Sequence, residues 1–159
     1  MRHGERQDMA DPSWPSTATR PWDPPLSAFG VTQAAERGAI LASAGVRIDC
    51  VVTSPFSRCI QTSAALMTAM GMPPHLLMVD ASVCEWMSSR NLNLGHVRSE
   101  GEHRDNADVQ QWFWGEPAQA GIRAAVTAAW SAEAAAQVSL QTHPVTKKGA
   151  HFQPLGLTA

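Results

Sequence analysis

Cysteine is scarce in this 159-residue chain and follows no pattern. Cys50, Cys59 and Cys84 are an odd set with no metal-type spacing. That excludes a disulfide framework and fits a reducing compartment, so the cytoplasm is the expected location. A basic excess is also lacking. Twelve Lys and Arg stand against 14 Asp and Glu, a net charge of -2. Neither nucleic acid nor an anionic membrane surface is the expected partner of that balance, although a local group of arginines can still hold a small anion. No apolar run is long enough to span a bilayer, and the first residues lack the apolar core of a signal peptide. No internal repeat is present. What remains is a globular composition, 44% hydrophobic and 16% charged, in a length that fits a single domain over 1–159.

Strand and helix signals alternate along it. Residues 7–26 hold Pro12, Pro15, Pro21, Pro24 and Pro25 with Trp14 and Trp22. That proline density argues against helix and predicts a long loop, either packed over a pocket or disordered. A helix is expected from Leu26 to Ala44, with Val31, Ala34, Ala35, Gly38, Leu41 and Ala42 inward and Gly45 as its stop. Ile48 to Thr53 has the pattern of a buried strand. Ser54 and Pro55 suit the N-cap and first position of a second helix, whose stripe runs through Phe56, Cys59, Ile60, Ser63, Ala64 and Met67 to Gly71. Leu76 to Val79 is a second short strand. Residues 88–117 are polar and irregular, and His96 and His103 there show no metal spacing. Trp112, Phe113 and Trp114 are expected to pack, since the charge balance disfavours a nucleic-acid platform. A helix from Ala118 to Gln137, a strand from Val138 to Thr142 and a weakly patterned tail over 145–159 complete the chain. This alternation predicts an α/β domain with a mostly parallel sheet and helices on both faces. Ligands bind such sheets beyond the carboxyl ends of the strands.

Chemistry is concentrated at the start. In Arg2-His3-Gly4-Glu5-Arg6 two arginines flank a histidine and a glycine. Guanidinium forks suit phosphate oxygens, a neutral imidazole is a nucleophile near pH 7, and glycine allows close approach to the backbone. Taken alone, the five residues also read as a disordered basic terminus. Arg58 is expected in the first turn of the second helix. A cation opposes the helix dipole there, and a bound anion facing both Arg58 and the first amides resolves the conflict. A solvated surface arginine is the alternative. Glu85 lies between apolar neighbours in Val83-Cys84-Glu85-Trp86-Met87, so its carboxyl either reaches water or is held as a general acid. His143 follows the last expected strand, and it also reads as an ordinary loop histidine.

These segments, in this order, resemble the histidine phosphatase superfamily with its phosphoglycerate mutase-like fold. Arg2-His3-Gly4-Glu5-Arg6 resembles the family's Arg-His-Gly signature. Asp23-Pro24-Pro25-Leu26-Ser27-Ala28-Phe29-Gly30 with Gln33-Ala34 resembles the approach to its first helix. Thr53-Ser54-Pro55-Phe56-Ser57-Arg58-Cys59-Ile60-Gln61-Thr62 resembles its Ser-Pro…Arg…Gln-Thr segment, and Val83-Cys84-Glu85-Trp86 the segment that carries the acid. The arginine three positions after the histidine, here Arg6, is similar to the branch of ubiquitin-associated and SH3 domain-containing phosphatases. The matches cover roughly residues 1 to 87 and are specific as an ordered set.

The resemblance implies a three-layer α/β fold and a phosphatase that needs no metal or other cofactor. It makes His3 the residue that becomes phosphorylated. Arg2, Arg6 and Arg58 hold the phosphoryl oxygens, Glu85 protonates the leaving group, and His143 is the second histidine against the phosphate. The substrate implied is a phosphorylated small molecule or a phosphoprotein. Two departures set the alternative. The family's Arg-His-Gly ends a central strand, whereas only Met1 precedes Arg2, so the first strand is expected to be missing. Pro144 stands where the family has glycine, and the match fades beyond. A catalytically inactive phosphate-binding or protein-interaction module is therefore the competing expectation. A mutase is less supported, because nothing marks a pocket for a bisphosphorylated sugar acid.

Overall fold

Two helices and a small parallel sheet organise the chain. The computed structural model describes residues 1–80, 83, 123–128 and 130–141. The loop expected over 7–26 contains two short turns, α1 (Gln7–Ala10) and a 3-10 turn at Trp14–Ser16. Proline does not prevent them. Pro12 follows the end of α1, and Pro15 sits in the first turn at Trp14–Ser16, where its missing N–H is not needed. The loop is packed, since Asp23 and Pro24 are both buried.

Helix α2 (Ala28–Ser43) begins two residues after Leu26 because Ser27 caps it. The Ser27 backbone is extended, and its hydroxyl accepts the Gly30 N–H at 3.0 Å. Gly45, with φ 67°, ends it as expected. The buried face is narrower than the expected stripe: Gly30, Ala34 and Gly38 are buried, whereas Val31 is 41% exposed. Small residues four apart let the backbone come close. An added Cβ on Gly38 would lie 2.4 Å from the Leu66 carbonyl oxygen of the next helix.

That next helix is α3 (Ser57–Ala69), which starts later than Ser54-Pro55 predicts. Ser54 is buried ahead of the helix and Phe56 is the N-cap residue, with no side-chain capping bond of its own. The cap comes from the distant Asp23. The Ser57 N–H donates to Asp23 Oδ1 at 2.9 Å and the Ser57 hydroxyl to Oδ2 at 2.7 Å. Arg58, Ile60, Thr62, Ala64, Leu66 and Met67 are all buried. This exceeds a single stripe because α3 is covered by α2 as well as by the core against the sheet.

Strands β1 (Val51–Thr53), β2 (Leu77–Asp80) and β3 (Ser139–Gln141) form a sheet in the order β1-β2-β3. Both pairs are parallel, with Val51 opposite Leu77 and Met78 opposite Ser139. Parallel neighbours require a crossover, and α3 supplies it between β1 and β2. The core joins Ile60, Leu66 and Met67 of α3 to Leu77 and Val79 of β2 and to Val126. Residues 123–128 are helical, but Trp130 and Ser131 are not, and one further helical turn follows at Ala132–Ala135. Trp130 packs against the core at this break, so the expected helix over 118–137 is not continuous. No helix among the described residues is long and apolar enough to cross a membrane.

Candidate active site

The N-terminal segment is tied down from Gly4 to Gln7. The Gly4 N–H donates to Thr62 Oγ1 at 3.2 Å, and the Glu5 N–H to Gln33 Oε1 at 2.9 Å. The Ser27 hydroxyl donates to Glu5 Oε2 at 2.6 Å. On the backbone, Ser27 N–H reaches the Glu5 carbonyl at 3.0 Å and Gln7 N–H the Pro25 carbonyl at 2.8 Å, around an antiparallel bridge between Arg6 and Leu26. These bonds replace the disordered terminus that the five residues alone allow.

They also fix the imidazole. His3 is partly buried, and its Nδ1 lies 2.7 Å from the Gly4 carbonyl oxygen. A carbonyl only accepts, so Nδ1 carries a proton, and in the neutral ring Nε2 then keeps its lone pair. Burial lowers the His3 pKa below its ordinary value. The Gly4 bond opposes that shift, and the charges of Arg58, Arg2 and Arg6 add to it. A neutral imidazole with a free Nε2 in a cationic field is suited to attack on an electrophile bearing negative charge.

Three arginines supply that field from three settings. Arg2 is exposed. Arg6 forks onto Asp8, with Nε at 2.9 Å and Nη2 at 2.5 Å from the two carboxylate oxygens. This bond holds the Asp8 carboxyl below its usual range, against the effect of burial. Arg58 is only 3% exposed, which excludes the solvated surface arginine. Its guanidinium carbon lies 4.0 Å from the Phe56 ring centroid. Thr62 links it to the histidine: the hydroxyl that accepts from Gly4 N–H donates to the Arg58 carbonyl at 2.7 Å.

Sequence reasoning missed Asp23. Its place before Pro24-Pro25 suggests no particular role from sequence, yet its side chain is fully buried at the start of α3. The anion expected at that helix terminus is this carboxylate. The Ser57 N–H is committed to it, and the Cys59 and Ile60 N–H groups both donate to the Phe56 carbonyl. The Ser57, Cys59 and Ile60 amides therefore have partners within the protein, and the expected sharing of a ligand with Arg58 does not extend to them. Asp23 also accepts Arg20 Nη2 at 2.5 Å and lies 3.8 Å from Arg58 Nη1. Burial pushes its pKa up, while the bonds from Ser57 and the charges of Arg20 and Arg58 pull it down. The available signal was an acid set directly before Pro24-Pro25 and the buried Leu26.

Residues 1–138 match the family described as Histidine phosphatase superfamily (branch 1). The chain belongs to that superfamily. Within it, the chain is similar to the ubiquitin-associated and SH3 domain-containing protein A of Mus musculus, at 38% identity over 66 residues. That match takes in 41% of this chain and 11% of the relative. The Homo sapiens protein of the same name is 34% identical over 65 residues, 40% of this chain and 10% of its own. The chain thus matches about a tenth of the length of these relatives. Among solved structures it is similar to the ecdysone phosphate phosphatase from Bombix mori in complex with tungstate. The TM-score is 0.49 at 20% identity, covering 89% of this chain and 70% of that one.

Of the site residues expected for a histidine phosphatase, His3, Arg6 and Arg58 are brought around one region, with Arg2 beside them. Glu85 and His143 lie outside the described residues. Among the described residues, no three of His, Cys, Asp and Glu gather as a metal site.

Proposed function

We propose that this chain is a metal-independent phosphatase that hydrolyses a phosphomonoester through a phosphohistidine on His3. The observation that carries the reading is the His3 imidazole, bonded through Nδ1 to the Gly4 carbonyl and held neutral under the charges of three arginines. In the first step Nε2 attacks phosphorus and the bond from phosphorus to the leaving oxygen breaks. Glu85 gives its proton to that oxygen, which avoids expelling an alkoxide. In the second step water attacks phosphorus, Glu85 takes a proton from the water, and the phosphorus–nitrogen bond breaks to release phosphate. Arg2, Arg6 and Arg58 hold the equatorial oxygens, where charge accumulates in phosphoryl transfer. His143 is assigned as a second contact to the phosphate.

The finer architecture that goes with this reading is three layers, with helices on both faces of the sheet. The substrate is a phosphorylated small molecule or a phosphoprotein, handled in the cytoplasm.

The test is hydrolysis of an aryl phosphate by the purified chain beside His3→Ala and Glu85→Gln. The expected result is turnover, an acid-labile phosphoprotein trapped on rapid quenching, and loss of both in His3→Ala. Glu85→Gln should slow poor leaving groups more than good ones. Equal rates for the chain and His3→Ala would overturn the mechanism. Stabilisation by phosphate without turnover would point instead to the inactive phosphate-binding module.

A further inference from the structure

The proposed steps leave Asp23 unused, yet its carboxylate is buried and accepts three hydrogen bonds. Its side chain has no exposed surface. Oδ1 accepts the Ser57 N–H at 2.9 Å, and Oδ2 accepts the Ser57 hydroxyl at 2.7 Å and Arg20 Nη2 at 2.5 Å. Arg58 Nη1 stands 3.8 Å from Oδ1. On another side, the Arg58 guanidinium rests on the Phe56 ring. The carboxylate therefore fastens the loop that carries Arg20 to the turn that carries Arg58.

A helix cap alone does not need this arrangement. Asparagine and serine cap as well as aspartate and carry no charge to bury. A buried carboxylate is favoured only where cations face it, and here two arginines do. The consequence falls on Arg58. A guanidinium on a freely rotating side chain loses conformational entropy when it grips a ligand, whereas one already held loses less. The ion pair and the aromatic ring together do that holding.

We propose that Asp23 is a positioning residue for phosphate recognition, its buried carboxylate setting the Arg58 guanidinium in place before the ligand arrives. The inference rests on the reading of Arg58 as a phosphate ligand. Asp23 acts through Arg58 and touches no reacting atom.

The experiment is a double-mutant cycle on the full chain, read as inorganic phosphate affinity by calorimetry in the wild type, Asp23→Asn, Arg58→Ala and the double variant. Asparagine keeps an acceptor for the Ser57 amide and removes the charge. Asp23→Asn should weaken phosphate binding by about three- to tenfold, the range expected for ordering one long side chain. The double variant should bind no more weakly than Arg58→Ala, because Asp23 has nothing to position once the guanidinium is gone. Unchanged affinity in Asp23→Asn, or losses that multiply in the double variant, would overturn the proposal while leaving the phosphate site intact. A wild type that binds no phosphate would instead overturn the reading of Arg58, and the proposal with it. Should Asp23→Asn fail to fold, guanidinium is added to Arg58→Ala, which retains the carboxylate. Recovery of phosphate binding is expected, and no recovery overturns the proposal.

Discussion

Gly4 and Gly30 meet backbone to backbone. An added Cβ on Gly4 would stand 2.4 Å from the Gly30 carbonyl oxygen, and one on Gly30 would stand 2.2 Å from the Glu5 carbonyl oxygen. Neither carbonyl is the end of a flexible side chain, so one backbone must move. Alanine in place of a helical glycine gains about 1 kcal/mol of intrinsic propensity. Overpacking typically costs about 1–3 kcal/mol, and contacts this short lie at its upper end. The clash wins. Gly30→Ala should lower the melting temperature by several degrees and weaken phosphate binding, because the segment carrying His3 is what gives way. A melting temperature at or above that of the wild type would refute the close approach.

The titration of His3 gives a pH test. Its folded pKa lies below 6.5, first because of burial and further because of Arg58, Arg2 and Arg6. Nucleophilic attack needs the neutral ring, so the acid limb of kcat/KM should fall below pH 6.5. Arg58→Gln removes one of the lowering charges and should move that limb upward while it also slows the reaction. The same shift acts on stability. The unfolded chain takes up the proton first, so the stabilisation associated with neutral His3 is present above the unfolded pKa. It is lost as pH falls from about 6.5 through the depressed folded value. His3→Ala should flatten the fall of melting temperature across that window.

Ser27 serves two partners at once. Its oxygen accepts from the Gly30 N–H and its hydroxyl donates to Glu5 Oε2. Loss of an N-cap typically costs about 1 kcal/mol, and loss of the partner of a carboxylate adds about 1.5 to 3 kcal/mol. Ser27→Ala should therefore unfold at lower urea than the wild type, with Ser27→Thr recovering most of the difference. Equal midpoints for all three would show that neither bond contributes.

Met67 offers a test of the core apart from the site. It has no exposed surface and belongs to the cluster with Ile60, Leu77 and Val79. Met67→Ala should cost about 2–5 kcal/mol in unfolding free energy. Turnover per folded molecule should stay near that of the wild type well below the new melting temperature. A cost under about 1 kcal/mol would mean that the core tolerates collapse around the gap.

Local signals in the sequence reached some elements and stopped short of others. Gly45 and Gly71 mark helix ends because each adopts positive φ, a requirement that glycine alone meets freely. Strands form where Ile48 to Thr53 and Leu76 to Val79 predict them, but shorter or shifted, at Val51–Thr53 and Leu77–Asp80, and the first is not buried throughout, since Val52 is 46% exposed. The start of α3 departs from the local signal of Ser54-Pro55 because the cap comes from Asp23, 34 positions from Ser57. Short-range patterns carry no information on such a pairing. The burial of Arg58 was hidden likewise, since helical periodicity sorts residues by polarity and cannot foresee a distant acid and a neighbouring ring. Guanidinium and imidazole suggest phosphate chemistry from sequence, but only the fold brings His3, Arg6 and Arg58 near one another.

The bonds that hold the N-terminal segment span 22, 28 and 58 positions of sequence. Closing loops of that size is unfavourable until the surfaces that receive the segment exist. Those surfaces are α2 and α3, already docked on each other. The segment that carries His3 should therefore be seated late in folding and released early in unfolding. Hydrogen exchange at the Gly4 and Glu5 amides should proceed through openings smaller than global unfolding, while the α3 amides wait for the whole domain. A folding intermediate with both helices in place would already resemble the finished scaffold and still have no chemistry.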